Sequence, residues 1–336
     1  MAAHHVLLLG GSGKVAQLLT PMLLQRSWNV TSIIRNPDQV PGLQKLGENL
    51  SGKLNVLVRS IEDVKSEGQA KSLIDEVKPD YVVWSAGAGG KGAPERTFTI
   101  DRDAAIHFIR ASVATPSITK FVMISFITSR LQKPAWWDQA TWDTEHARTL
   151  KNLEQYYQAK VAADQVLVEE SKKRKDDFAA ICLRPGLLTM EPVGKVSLGK
   201  IPTSNGTSSR ASVANLTALL LDAPDVKSCW LDMLDGDEDP EAAVKRCIAE
   251  GVDCAEGEPR ETRKMVVFVR AATPYCPPVV VRPAVVAIPP PPPPPSAVII
   301  QPAPIVFPVA ALPLVSMVPV TGLIAAPNAV ILRRIA

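Results

Sequence analysis

Val6-Leu7-Leu8-Leu9-Gly10-Gly11-Ser12-Gly13-Lys14-Val15-Ala16 is the stretch on which the reading of this 336-residue chain turns. No polar residue alternates with Leu7, Leu8 and Leu9, so they read as a strand buried on both faces, as in a parallel sheet. A Gly-rich turn follows, and then a helix expected over about 14–26. Gly10, Gly13 and Ala16 fall at the spacing G-x-x-G-x-x-A. The first lets the backbone turn sharply, the second leaves room for a pyrophosphate, and the small third lets the helix pack close to the strand. The helix N-terminus offers free N–H groups and partial positive charge to phosphate. Gly10, Gly11, Ser12, Gly13, Lys14, Val15 and Ala16 are therefore candidate dinucleotide-binding residues.

Working outward, residues 28–34 form a second apolar run that ends at Arg35-Asn36-Pro37. An acidic residue about 20 positions after the glycines would take the ribose hydroxyls of NAD(H). Arg35 stands there instead, and a guanidinium is suited to gripping a 2′-phosphate in a fork. NADP(H) is therefore expected in preference to NAD(H). Further strands are expected over 53–58, 81–84, 121–124, 178–183 and 227–234, with a shorter one over 193–198. Helices are expected over 68–77, 97–113, 150–170, 212–221 and 240–248. This alternation predicts an α/β fold with a doubly wound parallel sheet. The strand at 81–84 opens into Ser85-Ala86-Gly87-Ala88-Gly89-Gly90-Lys91-Gly92. A Gly-rich loop at the carboxyl end of a parallel strand is where an open sheet binds ligand, so Ser85, Ala86 and Gly87 are assigned to the cofactor. Residues 131–148 hold Trp136, Trp137 and Trp142 in what reads as a polar loop. That loop is either a lid or wall of a substrate pocket, or one that folds its aromatics onto its own surface.

Composition narrows the classes. A net charge of +3 with acids and bases mixed argues against a nucleic-acid surface. Five cysteines at irregular spacing make no disulfide framework. Cys182 reads as a small core residue, and Cys247 and Cys254 are too isolated for a metal site, so no metal is expected. The first strand begins almost at once, which leaves no room for a signal peptide, and a reducing cytoplasm or nucleus is expected. Near Gly251 the composition changes: more than half of the 30 prolines lie beyond Ala272, including the unbroken run Pro289 to Pro295. Residues 303–332 carry no charge, but Pro304, Pro308, Pro313, Pro319 and Pro327 interrupt them. Each proline removes a helix hydrogen bond that lipid cannot replace, which argues against a membrane span. The domain reading is a dinucleotide-binding domain with a short substrate region over 1–250, and a disordered Pro-rich tail over 251–336.

The expected long helix carries Tyr156-Tyr157-Gln158-Ala159-Lys160. Tyr156 and Lys160 are four apart and share a helix face. An adjacent ammonium favours the phenolate, so the phenol is expected to titrate lower than usual and serve as an acid/base near neutrality. Lys160 can also donate to the nicotinamide ribose.

Gly10/Gly13/Ala16, Arg35, Ser85-Ala86-Gly87, Tyr156-x-x-x-Lys160 and Arg184-Pro185-Gly186, in this order, resemble the short-chain dehydrogenase/reductase superfamily. The likeness is to its atypical and extended branches of NAD(P)-dependent epimerase/dehydratase-like and NAD(P)H-binding proteins. Ser85 to Gly92 followed by Glu95-Arg96-Thr97-Phe98 resembles its small fungal members especially. The resemblance covers about residues 4–250. It implies a Rossmann-type sheet of seven or eight parallel strands with helices on both faces. It also implies a catalytic Ser or Thr shortly after the fifth strand, for which Ser125 and Thr128 are the candidates. Asp101 lies where many relatives carry Asn. The function expected is an NADP(H)-dependent oxidoreductase, or epimerase/dehydratase-like enzyme, acting on a small carbonyl or sugar-like molecule. A homo-oligomer is compatible with it. The alternative is an NADP(H)-binding redox sensor or regulator without turnover. The fungal regulators of that kind commonly lack the Tyr-x-x-x-Lys pair, so its presence here favours the enzyme.

Overall fold

A computed structural model of the chain describes residues 4–89, 94–174 and 177–259. Its ten strands are β1 (His5–Leu9), β2 (Asn29–Ile34), β3 (Leu54–Val58), β4 (Tyr81–Trp84), β5 (Lys120–Ile124), β6 (Ala179–Pro185), β7 (Leu187–Thr189), β8 (Val196–Leu198), β9 (Thr207–Ser209) and β10 (Cys229–Asp235). Eight of them form one sheet in the order β3-β2-β1-β4-β5-β6-β10-β8. Neighbours are parallel except β8, which runs antiparallel to β10. The order reverses between β1 and β4, and that switch point is where an open α/β sheet opens a crevice for ligand.

The apolar run of β1 follows from burial on both sides. Leu8 joins a core with Val30, Val83, Val122 and Ile181, while Leu7 and Leu9 join a second core with Val82, Trp84, Phe121 and Met123. The first core is covered by α1 (Lys14–Gln25), through Leu19 and Leu23, and by residues of two later helices described below. After the short α2 (Val40–Gln44), the second core is covered by α3 (Glu67–Val77), through Ile74. Phe108 and Leu167, from later helices, complete it. Residues 94–113 form one continuous helical element. It consists of α4 (Pro94–Thr97), a π-helical stretch over Phe98–Ala104 and α5 (Ala105–Val113). It therefore starts three residues before the expected 97 and is wound differently through Asp101. The remaining helices are α6 (Gln139–Ser171), α7 (Arg210–Asp222) and α8 (Pro240–Ala249), the last two placing Leu216 and Val244 in the first core.

Two expectations are corrected, and a third feature is new. Residues 139–148 are helical rather than a loop, because the Asp138 carboxylate caps α6 by accepting from the Thr141 N–H at 2.6 Å. The element then breaks at Leu153, with φ −138° and ψ 24°. Secondly, the tryptophans are core rather than lid. Trp137 is buried, its indole donates to the Ile201 carbonyl at 2.8 Å, and with Trp136 and Trp142 it packs on Ile127, Ile201 and Leu234. Thirdly, the small pair β7 and β9 has too little apolar pattern to be expected from sequence.

The expected domain end at 250 also falls short. Cys254, Ala255 and Glu258 are buried. The Cys254 N–H donates to the Trp230 carbonyl at 2.9 Å, and the Glu258 carboxylate accepts from the Leu131 N–H at 3.0 Å. Truncation at Glu250 strips these partners from buried groups. A chain ending there is expected to lose about 2–5 kcal/mol of stability. That is roughly 5–15 °C in thermal midpoint for a domain of this size. A chain ending at 259 should keep the full-length midpoint, and scanning calorimetry of the two chains checks both statements. The rest of the expected tail, and Gly90 to Gly92 of the loop after β4, lie outside the described residues. No helix among the described residues is long and apolar enough to cross a membrane.

Candidate active site

Two clefts lie beyond the carboxyl ends of the strands. The first, of about 330 Å³, gathers Gly10, Ser12, Gly13, Arg35, Ser85, Ala86 and Gly87, which were singled out in sequence. Gly10 has φ +84°, and a Cβ there would sit 2.6 Å from Ala86 Cα, so the position tolerates only glycine. A Cβ on Gly11 would overlap the Ser32 hydroxyl, which is itself buried without a partner. Gly11 is thus buried beneath the turn, with its N–H donating to the Ile33 carbonyl at 2.9 Å. Val15 and Ala16 are buried and Lys14 is exposed, so these three would meet a ligand through backbone N–H groups. Gly13 lines the cleft and caps α1 with no side-chain hydrogen bond, which leaves the first-turn N–H groups without a side-chain acceptor. An extended diphosphate fits such a donor set.

The far wall of this cleft is basic, and sequence reading found only part of it. Arg59 and Arg96 join Arg35 there, with Glu62 between them. Arg96 donates to Glu62 Oε1 from Nε at 2.9 Å and from Nη2 at 2.6 Å, and Arg35 Nη1 pairs with the same oxygen. The hydrogen bonds from Arg96 hold the Glu62 carboxyl below the usual carboxylate range, against the opposing effect of burial. Arg59 and Arg96 stand too far along the chain from the glycines for any motif spacing to mark them.

The second cleft, of about 540 Å³, follows β5 and β6 and contains Ser125, Thr128 and Tyr156. Tyr156 lies on α6, its ring 5.0 Å from that of Phe126. Burial, then the Asp101 and Asp164 carboxylates, push its phenol well above the ordinary range. The expected lowering by Lys160 is therefore corrected. Lys160 is buried and donates from Nζ to the Ile124 carbonyl at 2.9 Å, and burial is the largest cause of the raised phenol. Ser125 is likewise committed, since its hydroxyl donates to Asp164 Oδ2 at 2.5 Å, an oxygen shared with Ser129 at 2.7 Å. Asp164, one turn beyond Lys160, is fully buried and was missed in sequence, although its i+4 spacing from Lys160 was visible. Thr128 differs, because its oxygen accepts from the Thr149 hydroxyl at 3.0 Å, which leaves its own proton free to face the cleft. Asp101, on the π-helical stretch, accepts from the Ala88 N–H at 2.9 Å and so ties the loop after β4 to the helix that follows it. Burial raises its carboxyl, opposed by Lys160 and by that N–H.

With this geometry in place, comparison with known proteins is decisive at the level of family. Residues 10–224 match the model of a family described as NAD(P)H-binding. The chain belongs to the NAD(P)H-binding family. A UPF0659 protein of Schizosaccharomyces pombe is 35% identical over 248 residues, covering 72% of this chain and 94% of that one. An uncharacterized sugar epimerase of Bacillus subtilis is 26% identical, covering 72% of this chain and 99% of that one. A solved Bacillus halodurans structure described as an NAD-dependent epimerase/dehydratase superposes with a TM-score of 0.58 at 24% identity. It covers 73% of this chain and all of that one, which shows a common fold. The NAD(P)H-binding fold accounts for the first cleft, and the turn, uncapped helix and small residues described above fit the cofactor that names the family.

Proposed function

We propose that this chain is an NADP(H)-dependent oxidoreductase that acts on a carbonyl compound. The observation that carries this reading is the meeting of the Gly10–Gly13 turn and three arginines in one cleft, with a protonated Tyr156 in the other. The first-turn N–H groups of α1 would hold the pyrophosphate, and Arg35 and Arg59 the 2′-phosphate. The bound nicotinamide supplies the hydride. Tyr156 holds a proton at its phenolic oxygen, and Thr128 offers a second donor to the same carbonyl oxygen. Lys160 fixes the Ile124 carbonyl at the end of β5 and opposes the charge of Asp101. The same groups would serve an epimerase that oxidises its substrate transiently. One observation favours a sensor without turnover instead: the only hydroxyl proton of Ser125 is already bonded to Asp164 inside the protein.

The test is calorimetry with NADPH and NADH, followed by turnover on a carbonyl panel. Arg35→Ala removes a charge-assisted contact and is expected to weaken NADPH by about 10–100-fold while leaving NADH nearly unchanged. Glu62→Gln should tighten NADPH, because the carboxylate competes with the 2′-phosphate for the same guanidiniums. Equal affinity of the parent for both cofactors would overturn the NADP(H) preference, and absence of turnover with tight NADPH binding would favour the sensor.

A further inference from the structure

The second cleft has a chemical bias that the reading above does not use. Its walls carry two guanidiniums, Arg148 and Arg210, and no carboxylate. Arg210, the first residue of α7, donates from Nη1 to the Leu188 and Thr189 carbonyls at 3.1 and 2.9 Å. Among the described residues no acid pairs with it, so its charge is uncompensated. Arg148 is half exposed and rests on Glu145, which is buried and does not line the cleft.

The rim has the opposite character. Six large aliphatic side chains are exposed among the described residues, and two of them, Leu153 and Leu187, line this cleft beside Phe126, Ile127 and Leu188. Leu150 and Leu153 lie on α6, and Leu187, Met190 and Val193 lie on the segment that begins with β7. The break at Leu153 presents that side chain at the cleft, and Leu187, 73% exposed, lines it too. Scattered single leucines need no explanation, but two exposed leucines on facing segments of one cavity, with Phe126, Ile127 and Leu188 between them, mark a ligand site.

We infer that this cleft binds a carbonyl compound that carries a carboxylate on an apolar skeleton. The guanidiniums recognise the carboxylate, and the exposed aliphatic rim covers the skeleton. The carbonyl in this description rests on the oxidoreductase reading, whereas the acidic and apolar parts rest on the cleft alone. A bare sugar would leave Leu153 and Leu187 uncovered. A nucleotide sugar shares the negative charge, so the test must separate the two.

The experiment is titration calorimetry on the full chain, free and saturated with NADP⁺, so that the ketones are not reduced, with the UDP-glucose arm read on the free chain. The ligands are 2-oxo-4-phenylbutyrate, 4-phenylbutan-2-one, pyruvate and UDP-glucose. The phenyl acid should bind at least about tenfold more tightly than the neutral ketone and than pyruvate. Arg148→Gln should remove most of the advantage over the neutral ketone, and its thermal midpoint, read beside the titration, shows that losing the pair with Glu145 leaves the chain folded. Arg210→Gln should do the same, and if that variant fails to fold, Arg148→Gln carries the test. Equal binding of the acid and the neutral ketone overturns the carboxylate, and equal binding of the acid and pyruvate overturns the apolar skeleton. UDP-glucose binding most tightly, with loss in Arg148→Gln, overturns the inference in favour of a nucleotide sugar. If NADP⁺ itself fails to bind, the oxidoreductase reading falls, and an Arg148-dependent preference for the acid on the free chain still upholds the cleft's selectivity.

Discussion

Tyr156→Phe is expected to lower carbonyl reduction by about 10²–10⁴-fold, the range general acid–base catalysis contributes, while NADPH still binds. The substitution keeps the ring against Phe126 and removes only the transferable proton. The direction of the phenol's shift sets the pH behaviour. Burial and two carboxylates raise it, so Tyr156 stays protonated through neutral pH. Reduction needs that proton and should hold a plateau up to at least about pH 10, the ordinary phenol value, with no fall that belongs to Tyr156. A phenol lowered toward neutrality would show a rate falling between pH 7 and 9 or so. Tyr157→Phe is the control. Its hydroxyl donates to the Arg130 carbonyl at 2.6 Å, so its loss should cost about 1 kcal/mol of stability and little turnover. Equal and mild effects of the two variants would remove Tyr156 from the chemistry.

Asp232→Ala should cost about 3–5 kcal/mol of stability, the penalty for stripping the counter-ion from a buried charge. Asp232 sits on β10, fully buried. Arg130 Nη2 donates to its Oδ2 at 2.5 Å, and Arg184 Nε lies 3.3 Å from its Oδ1. Neither arginine is exposed. Arg184 also lies 4.4 Å from the centre of the Trp230 ring and donates to the Ile127 carbonyl at 2.9 Å. The cluster therefore braces the loop after β5 that bears Ser125 and Thr128. Urea unfolding should show the lower midpoint, and Asp232→Asn, which keeps the shape and one acceptor, should recover part of it. A loss below about 1 kcal/mol would mean that water or another acid replaces the carboxylate.

How much was legible depended on whether neighbours in sequence are neighbours in space. The turn at Gly10–Gly13 was legible because strand, turn and helix are contiguous and each glycine answers a local backbone demand. Strand β4 was legible because four apolar residues stand between Pro79-Asp80 and the glycines. Arg130, Arg184 and Asp232 were not legible as a cluster. Each is an ordinary charged residue in its own segment; the parallel pairing of β6 with β10 sets Arg184 beside Asp232, and the loop after β5 brings Arg130 to them. The state of Tyr156 was misread for the same reason. Its helical neighbour Lys160 was visible, but Asp101 arrives from another helix and the helix axis turns Lys160 toward β5. The tryptophans of 136–142 read as a loop because their polar neighbours mask a cap at Asp138 that only the backbone geometry reveals.

The long reach of the contacts around Arg130 dictates when each half of the molecule can be completed during synthesis. Its carboxylate partner lies 102 residues downstream and its carbonyl partner, Cys254, 124. The neighbouring Leu131 N–H waits 127 residues for Glu258. At a ribosome speed of about 5–20 residues per second, that last gap is roughly 6–25 s, long against the closure of a local loop. The glycine turn, Arg35, Arg59, Arg96 and the loop after β4 have all emerged well before then. The nascent chain thus assembles its nucleotide half first and holds two unpartnered guanidiniums until the last strand and the segment after α8 arrive. The half that bears Ser125, Thr128 and Tyr156 can close only once Glu258 has emerged.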